Sequence, residues 1–292
     1  TRTWNASDDC GNQATPVSQT ISVTDNTAPV ITSLPGPSSV ECPATPSFAT
    51  PTASDACDQS VIPTFADVTT PGACPQEYSV TRTWNASDDC GNQATPVSQT
   101  ISVTDNTAPV ISSLPGPSSV ECPATPSFAT PTASDACDQN VPVNFSDVTT
   151  PGSCPQEYSV TRTWTAVDDC GNQATPVSQT ISVTDTTAPS ITCATDQRVP
   201  CDSAVVFTEP SASDICDLSP VIIEISTDTV AGPGAGEFTH TRCWVAEDDC
   251  GNRSDSCCQN IIVEACPSFC TFTIGGWGSD CPESQAGDPL ST

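Results

Sequence analysis

The hydrophobic and polar positions of this chain alternate with a period of two over several short stretches. From Val97 to Thr104, apolar residues and one glutamine occupy every second position, with serine or threonine between them, and the same alternation runs from Tyr78 to Trp84. A period of two predicts β-strands with one face toward a core and one toward solvent. Further strands are predicted at Pro29–Leu34, Ser38–Cys42, Val61–Val68 and near Phe48. Short strands separated by turns rich in proline, glycine and aspartate predict a small two-sheet sandwich.

The chain also repeats itself with a period of 80 residues, because the segment TRTWNASDDCGN begins at Thr1 and again at Thr81. Residues 1–80 and 81–160 differ at seven positions, and two more divergent copies follow. The polar Asp-Asn-Thr stretch before Ala-Pro marks the boundary between domains. The predicted organisation is the C-terminal part of a truncated repeat (1–27), two complete repeats (28–107 and 108–187), a divergent cysteine-rich repeat (188–265) and the start of a cysteine-containing extension (266–292).

Composition and charge narrow the class of protein. The chain has 35 acidic and 6 basic residues, a net charge of −29, and all six basic residues are arginines. A nucleic-acid-binding protein needs clustered basic residues, and an anionic membrane surface would repel this charge, so we expect neither partner. No apolar run approaches the roughly 20 residues of a membrane span. The chain starts without methionine or a signal peptide, and we therefore expect it to be a piece of a longer protein.

Nineteen cysteines in 292 residues indicate disulfide bonds, and with them a secreted, extracellular or cell-surface location. Each complete repeat holds four cysteines, which allow three connectivities. We favour Cys57–Cys90 with Cys42–Cys74, because the segments DACD and DDCGN both have the composition of loops at one end of the sandwich. Cys10 is then left over, and its partner is expected in the upstream half of its own repeat.

The segments SVECP, PTASDACD, TRTWNASDDCGN, QTISVTD and DNTAP follow one another in this order. Together they resemble hyalin-repeat (HYR-type) modules, which are immunoglobulin-like domains found in tandem in large secreted and cell-surface proteins. The resemblance covers about residues 1–265. It implies an all-β fold of tandem immunoglobulin-like β-sandwich domains, stapled by disulfides and arranged as an elongated rod. It also implies a bond from Cys193 to Cys257 or Cys258.

An immunoglobulin-like topology would place the DACD and DDCGN loops at the same end of a domain as the incoming linker. Carboxylates from the linker and both loops would then converge at each junction between repeats. Calcium is the natural counterion, since it takes roughly six to eight oxygen ligands, and it would stiffen the hinge. The candidate calcium ligands are Asp25, Asn26, Asp55, Asp58, Asp88, Asp89, Asp105, Asn106, Asp135, Asp138, Asp168, Asp169, Asp185, Asp214, Asp217, Asp248 and Asp249.

A simpler interpretation of the same acids stays open. Aspartate and asparagine are ordinary turn residues, and an acidic surface can serve solubility alone. Glu41 and Asp67 lie outside the candidate cluster and are expected on the solvated surface.

No feature of the sequence favours an enzyme. Asp88 and Asp89 could form a glycosidase pair, but loop acids that recur in four copies are typical of ligands and not of one tuned active site. His240 is the only histidine and is expected on an exposed strand, and no close CxxC pair favours zinc. The sequence has no G-x-S-x-G, HExxH or phosphate-binding loop. The recurring tryptophans are expected in the core: Trp4, Trp84, Trp164 and Trp244.

The sequence therefore favours an extracellular structural or adhesive protein, a calcium-stiffened stalk or filament of tandem immunoglobulin-like repeats. Its main partners would be neighbouring repeats of the same chain, with self-assembly into filaments and surface glycans or proteins as further partners to consider. The alternative is a carbohydrate- or ligand-binding module array of a surface adhesin or secreted enzyme. Such an array would place unusual exposed residues on one copy, and the variation at positions 60–66 fits either interpretation.

Overall fold

The computed structural model describes residues 1–267, and every regular element in this range is a β-strand. Two antiparallel strands come first: β1 (Arg2–Trp4) and β2 (Val17–Gln19). The first complete repeat adds six strands: β3 (Val30–Ile31), β4 (Ser38–Glu41), β5 (Ala53–Ser54), β6 (Thr64–Pro71), β7 (Tyr78–Asn85) and β8 (Val97–Thr104). The all-β fold expected from the period-two pattern is confirmed.

Two sheets form the first repeat. The larger has the order β4-β8-β7-β6, in which β4 runs parallel to β8 and the other neighbours are antiparallel. The smaller pairs β3 with β5. Because β4 and β6 are the two edges of the larger sheet, the hydrophobic faces of β7 and β8 lie at its centre.

The core of this repeat follows the alternation read from the sequence. Trp84 and Ile31 are buried together with Ala86 and Ala94, and Phe48 packs edge-on against Trp84 at 6.1 Å between ring centroids. Along β8, the buried positions are every second residue, as predicted. The apolar core is thin, as expected of so short a unit.

One charged residue occupies an inward position of β7. The guanidinium of Arg82 lies 3.9 Å from the ring centroid of Phe65 and 4.5 Å from that of Phe48. Its Nε and Nη2 both donate to Asp67, each at 2.7 Å. The hydrogen bond from Arg82 lowers the pKa of the Asp67 carboxyl. Asp67 lies on the exposed surface, as expected, and its carboxylate in addition holds the arginine between two rings.

The other two repeats follow the same plan. The second contains β9 (Val110–Ile111), β10 (Ser118–Glu121), β11 (Ala133–Ser134), β12 (Val143–Pro151), β13 (Tyr158–Ala166) and β14 (Val177–Thr184). The third contains β15 (Ser190–Thr192), β16 (Gln197–Val199), β17 (Ser211–Ser213), β18 (Val221–Ala231), β19 (Phe238–Glu247) and β20 (Cys257–Val263). Their larger sheets have the orders β10-β14-β13-β12 and β16-β20-β19-β18, and their smaller sheets pair β9 with β11 and β15 with β17.

The contacts between residues divide the chain into two compact units, and each unit includes part of the second repeat. The first unit consists of Thr1–Pro115, Ala129–Ser146 and Arg162–Gln179. The second unit consists of Gly116–Phe128, Asp147–Thr161 and the described residues from Thr180 onward. The first unit therefore contains the whole connection between the first and second complete repeats, and the second unit contains that between the second and third repeats.

The disulfides join one repeat to the next. In the first unit, Cys42 is bonded to Cys137 and Cys74 to Cys170, at sequence separations of 95 and 96 residues. In the second unit the equivalent bonds are Cys122–Cys216 and Cys154–Cys250. The predicted pairing of Cys57 with Cys90 and of Cys42 with Cys74 is wrong. In the second and third repeats, the cysteines of the DACD and DDCGN loops are bonded to the preceding repeat and not to each other.

The third repeat departs from this pattern. Cys193 is bonded to Cys257, one of the two partners that the family resemblance implied. Two further bonds lie within the same region, Cys201–Cys266 and Cys243–Cys258. Among the described residues, free thiols remain at Cys10, Cys57 and Cys90, whereas the sequence predicted Cys10 alone. The predicted extension after Cys266 falls largely outside the described residues.

Replacement of a core residue of β8 tests the alternation directly. Ile101→Ala should lower the free energy of unfolding by about 2–5 kcal/mol, because it removes buried methyl groups and leaves a cavity. Val68→Ala on the exposed edge strand β6 is the control, with a change within about 0.5 kcal/mol. Urea unfolding followed by tryptophan fluorescence measures both. Equal losses in the two variants would contradict the assigned inward face.

Candidate metal centre at the repeat junctions

The linker between the first two repeats is held by a carboxylate at the end of β4. Glu41 accepts hydrogen bonds from the backbone N of Asn106 at 2.6 Å, from its Nδ2 at 3.1 Å and from the hydroxyl of Thr107 at 2.9 Å. These bonds, with that from the Asn106 backbone the largest cause, lower the pKa of Glu41. Glu41, expected on the solvated surface, is partly exposed and in addition holds the linker. The alternation of β4 gave no sign of this role, because it depends on the chain that returns 65 residues later.

The same clamp recurs in the second unit. Glu121 accepts from the backbone N of Thr186 at 2.7 Å and from the hydroxyls of Thr186 and Thr187 at 3.1 and 2.8 Å. The backbone bond from Thr186 is the largest cause of the lowered pKa of Glu121. Asn106 and Thr186, which follow the first aspartate of their linkers, thus serve the same purpose. Both present a backbone N–H and a side-chain donor to the same glutamate.

The DACD loop after β11 is closed by its own aspartates. Asp135 accepts through Oδ1 from the backbone N of Cys137 at 2.7 Å and of Asp138 at 3.1 Å. Asp138 accepts from Asn140 N at 2.9 Å through Oδ1 and from Asp169 N at 3.1 Å through Oδ2. These are turn-forming hydrogen bonds of the kind that aspartate makes with nearby backbone. Both oxygens of Asp138 are therefore engaged in joining the two loops.

The DDCGN loop after β13 is organised by Asp168 and Asn172. Asp168 accepts from the backbone N of Cys170 and of Asn172 at 2.9 and 2.8 Å, and from Asn172 Nδ2 at 2.9 Å. Gly171 provides the positive φ of 93° that the turn requires. Asn172 Nδ2 also donates to the backbone O of Asp105 at 3.0 Å, which ties the linker to the loop. Sequence reasoning did not single out Asn172, although its recurrence in every DDCGN segment was a signal.

The linker aspartate that follows β8 is buried within the junction. Asp105 is only 4% exposed, and an oxygen of its carboxylate lies within 4.8 Å of both sulfurs of the Cys42–Cys137 bond. Its Oδ1 accepts from Thr107 N at 3.3 Å, whereas its Oδ2 is buried without a hydrogen-bond partner. Oδ2 of Asp135 is buried and unpartnered in the same way. Burial, and then the nearby charges of Asp135 and Asp168, raise the pKa of Asp105.

The second unit contains the equivalent arrangement. Asp185 and Asp214 each bury an unpartnered Oδ2, and carboxylate oxygens of Asp185 and Asp248 lie within 4.8 Å of each other. Burial, and then the charge of Asp248, raise the pKa of Asp185. At the start of the first repeat, Asp25 and Asp55 likewise bring carboxylate oxygens within 4.8 Å.

Oxygens this close can share one ion. Calcium–oxygen distances are about 2.3–2.6 Å, so two ligands of one ion lie at most about 5 Å apart. The neighbouring disulfide sulfurs are not thiolates and so do not serve as ligands. Four described arginines bind acids outside the candidate set: Arg82 binds Asp67, Arg198 binds Glu237, Arg242 binds Glu224 and Arg253 binds Glu247. The donor set and the orphaned oxygens therefore fit a calcium ion.

The structure brings some of the predicted ligands together and separates others. The acids brought together at the two complete junctions are Asp105, Asp135, Asp168, Asp185, Asp214 and Asp248. At the start of the first repeat, Asp25 and Asp55 meet, and Asp88 closes its own loop through Asn92. The acids that brace the two loops or face solvent are Asp58, Asp138, Asp217, Asp89, Asp169 and Asp249. Asn106 is occupied by Glu41, and Asn26 is exposed.

Comparison with known proteins gives one family and one relative. The family described as HYR-like domain with four cysteines matches residues 30–103 and 110–183. Hyalin from Strongylocentrotus purpuratus is 34% identical over 203 residues, which cover 64% of this chain and 16% of hyalin. The chain thus spans a small part of the length of this relative.

Solved cadherin structures share a weaker similarity. The protocadherin GammaB4 extracellular domain has 15% identity and a TM-score of 0.32, with 90% of this chain and 55% of that chain covered. Drosophila N-cadherin EC1-4 has 13% identity and a TM-score of 0.29, with 82% and 76% covered. Scores of this size support no conclusion about this chain.

Without calcium, the charges of the buried linker residues Asp105 and Asp185 should lower the free energy of unfolding at neutral pH. Their raised pKa means that the folded state holds these protons more tightly than the unfolded chain does, so ionisation destabilises the fold. This cost is present above the raised pKa and disappears as the pH falls through it toward the unfolded value of about 3.9. In chelator at pH 7, Asp105→Asn with Asp185→Asn should therefore raise the Tm by about 2–4 °C. This increase corresponds to a gain of about 1 kcal/mol in the free energy of unfolding.

Thermal unfolding by circular dichroism between pH 7 and pH 4 measures this difference, which should shrink toward the acidic end. The matched control is Asp169→Asn with Asp249→Asn, which removes the same number of charges from exposed positions of the same junctions. A variant less stable than the original chain at pH 7 in chelator would contradict the assigned cost.

Proposed function

The chain belongs to the family of HYR-like domains with four cysteines, and we propose that it is an extracellular structural and adhesive array, a stalk or filament stiffened by calcium. The family match, the similarity to hyalin and the seven disulfides support an extracellular or cell-surface repeat protein. Among the described residues, no helix is long and apolar enough to cross a membrane. The proposal assigns the chain no catalytic activity.

The observation that carries the mechanical role is the pair of disulfides at each connection. The linker is one covalent path from the first repeat to the second, and the bonds Cys42–Cys137 and Cys74–Cys170 provide two more. Two points of attachment besides the linker resist bending in more than one direction. A connection of this kind transmits force from repeat to repeat without relying on the thin cores.

Calcium is the second element of the proposal. At the first connection the ligands would be Asp105, Asp135 and Asp168, and at the second Asp185, Asp214 and Asp248. The support is the burial of four carboxylate oxygens that have no hydrogen-bond partner. A buried, unpaired carboxylate is costly, and a divalent cation would neutralise two of them at once. The ion would also bind the linker to both loops of the following repeat.

Calcium binding to the whole chain of 292 residues tests this assignment. Isothermal titration calorimetry should find one fewer bound ion in Asp105→Asn and two fewer in the variant that also carries Asp185→Asn. The exposed pair Asp169→Asn and Asp249→Asn is the control and should keep the full number. Binding that is absent from the original chain, or equal in all variants, would contradict the calcium site.

Small-angle X-ray scattering tests the stiffening separately. Chelation should broaden the distribution of interatomic distances of the original chain, because a flexible junction samples more orientations. In the Asp105→Asn, Asp185→Asn variant, calcium and chelator should give the same curve. An original chain whose scattering is identical in calcium and in chelator would show that the disulfides alone set the stiffness.

A further inference from the structure

The third repeat differs from the first at the arginine that precedes its buried tryptophan. Arg242 of β19 corresponds to Arg82 of β7, because each stands two residues before that tryptophan. Arg82 lies between two rings, whereas the ring of Phe207, 4.6 Å from the guanidinium, is the one that stacks on Arg242 among the described residues. The side chain of Arg242 is 35% exposed and that of Arg82 is 24% exposed. The guanidinium of Arg242 therefore has one open face.

The second ring is missing because a glutamate replaces a phenylalanine on the edge strand. Phe65 of β6 lies opposite Trp84 in the first repeat. At the same register position of the third repeat, Glu224 of β18 lies opposite Trp244. A bulge follows, since the register shifts between Glu224 and Ser226, and bulges bend a strand and are frequent at functional sites. The edge strand of the third repeat thus lacks the ring that covers the arginine of the first.

The aspartate that binds the arginine in the first repeat is also replaced. Thr227 lies opposite Arg242, whereas Asp67 lies opposite Arg82. Glu224 Oε2 lies 3.5 Å from Arg242 Nε, and Glu224 Oε1 accepts from the Thr227 hydroxyl at 2.6 Å. The two hydrogen bonds of 2.7 Å between Arg82 and Asp67 thus become one longer contact with a carboxylate.

An open cleft of about 310 Å³ lies beside Arg242. Small-molecule sites begin at roughly this volume. Glu209 is exposed at its rim and stands where the first repeat has Thr50, one residue before the proline of the aligned segments PSASDICD and PTASDACD. Two carboxylates and one guanidinium give the cleft a net negative charge. The lining residues are Phe207, Glu209, Ile222, Glu224, Arg242 and Trp244.

We infer that this cleft binds an aromatic ring that carries a cationic amine. The ring stacks on the open face of Arg242, in the place that Phe65 occupies in the first repeat at 3.9 Å from the guanidinium of Arg82. The amine pairs with the carboxylates of Glu209 and Glu224, which the single guanidinium cannot both neutralise. The inference goes beyond the proposed array and does not depend on calcium.

The residues of the cleft favour an aromatic ligand over a sugar. A sugar ring stacks on an exposed aromatic face, but Trp244 is only 6% exposed. The ring of Phe207 is stacked by Arg242 and packs edge-on against Trp244 at 6.1 Å between centroids. The flat surface that the cleft presents is therefore the guanidinium, and a π-face is its natural partner.

Three small probes separate the ring from the charge when they are titrated into the whole chain by isothermal titration calorimetry. The probe 2-phenylethylamine has both features, 2-cyclohexylethylamine has the amine without a π-face, and 3-phenylpropionate has the ring with the opposite charge. Physiological ionic strength screens weak attraction by the acidic chain as a whole.

The chain should bind one equivalent of 2-phenylethylamine. Binding of 2-cyclohexylethylamine should be about three- to fivefold weaker, because the stacking on Arg242 is lost. Binding of 3-phenylpropionate should be about tenfold weaker, because two carboxylates then repel the ligand. A blocked Phe-Lys dipeptide that binds more tightly than the free amine assigns the ligand to a polypeptide, and one that binds more weakly assigns it to a small molecule.

Two variants restore residues of the first repeat. Glu224→Phe should weaken 2-phenylethylamine binding about tenfold or more without lowering the Tm, because the new ring fills the cleft. Glu209→Thr should weaken it about two- to fivefold and leave 3-phenylpropionate no weaker, because one exposed ion pair is lost. The control is Asp228→Asn, which removes a charge from an exposed position of the same strand outside the cleft and should bind as the original chain does.

The inference is overturned by an original chain that does not bind 2-phenylethylamine, or that binds all three small probes equally. Undiminished binding in a folded Glu224→Phe variant would overturn it as well, since the ligand would then lie elsewhere on the chain.

Discussion

The bonds between successive repeats are the constraint on which the rest of this structure depends. A unit of 80 residues with a thin apolar core has little stability of its own, and disulfides are the usual remedy. In this chain the disulfides join neighbouring repeats, since Cys42 and Cys74 are each bonded to a cysteine of the following repeat. In the chain-entropy model, a bond that closes a loop of about 95 residues lowers the entropy of the unfolded state. Each bond then stabilises the folded state by about 4–5 kcal/mol.

The electrostatics of the junction follow from this covalent arrangement. The Cys42–Cys137 bond lies against Asp105 and helps to bury it, and that burial is what raises the pKa of the carboxyl. Glu41 lies 2.6–3.1 Å from its donors in the linker, and these hydrogen bonds, that from the Asn106 backbone above all, lower its pKa. One junction thus contains an acid stabilised by hydrogen bonds and an acid left with an unpartnered oxygen. Of these two acids, only Asp105 has an unpartnered oxygen that a cation would neutralise.

The sequence predicted the all-β fold, the inward face of β8 and the burial of Trp84, because these depend on local alternation and on composition. The strand predicted near Phe48 is wrong, since the short strand of this region is β5 at Ala53–Ser54. Trp4, also expected in the core, is 48% exposed. The sequence could not predict the disulfide partners, since in a tandem array a bond within one repeat and a bond to the next have the same sequence signature. The direction in which the DACD and DDCGN loops face decides between them. Likewise, Asp138 and Asp105 are equally acidic in the sequence, and only the folded loops show that Asp138 engages both oxygens while Asp105 does not.

A bond that reaches forward into the next repeat also imposes an order on biosynthesis. Cys42 precedes its partner by 95 residues, so the thiol waits until that much more chain has been synthesised. The DACD loop of its own repeat, which carries Cys57, is synthesised before the loop that carries Cys137, so the native partner is not the first thiol that Cys42 can meet. The folding of the two repeats, and not the order of synthesis, therefore has to select the native connectivity.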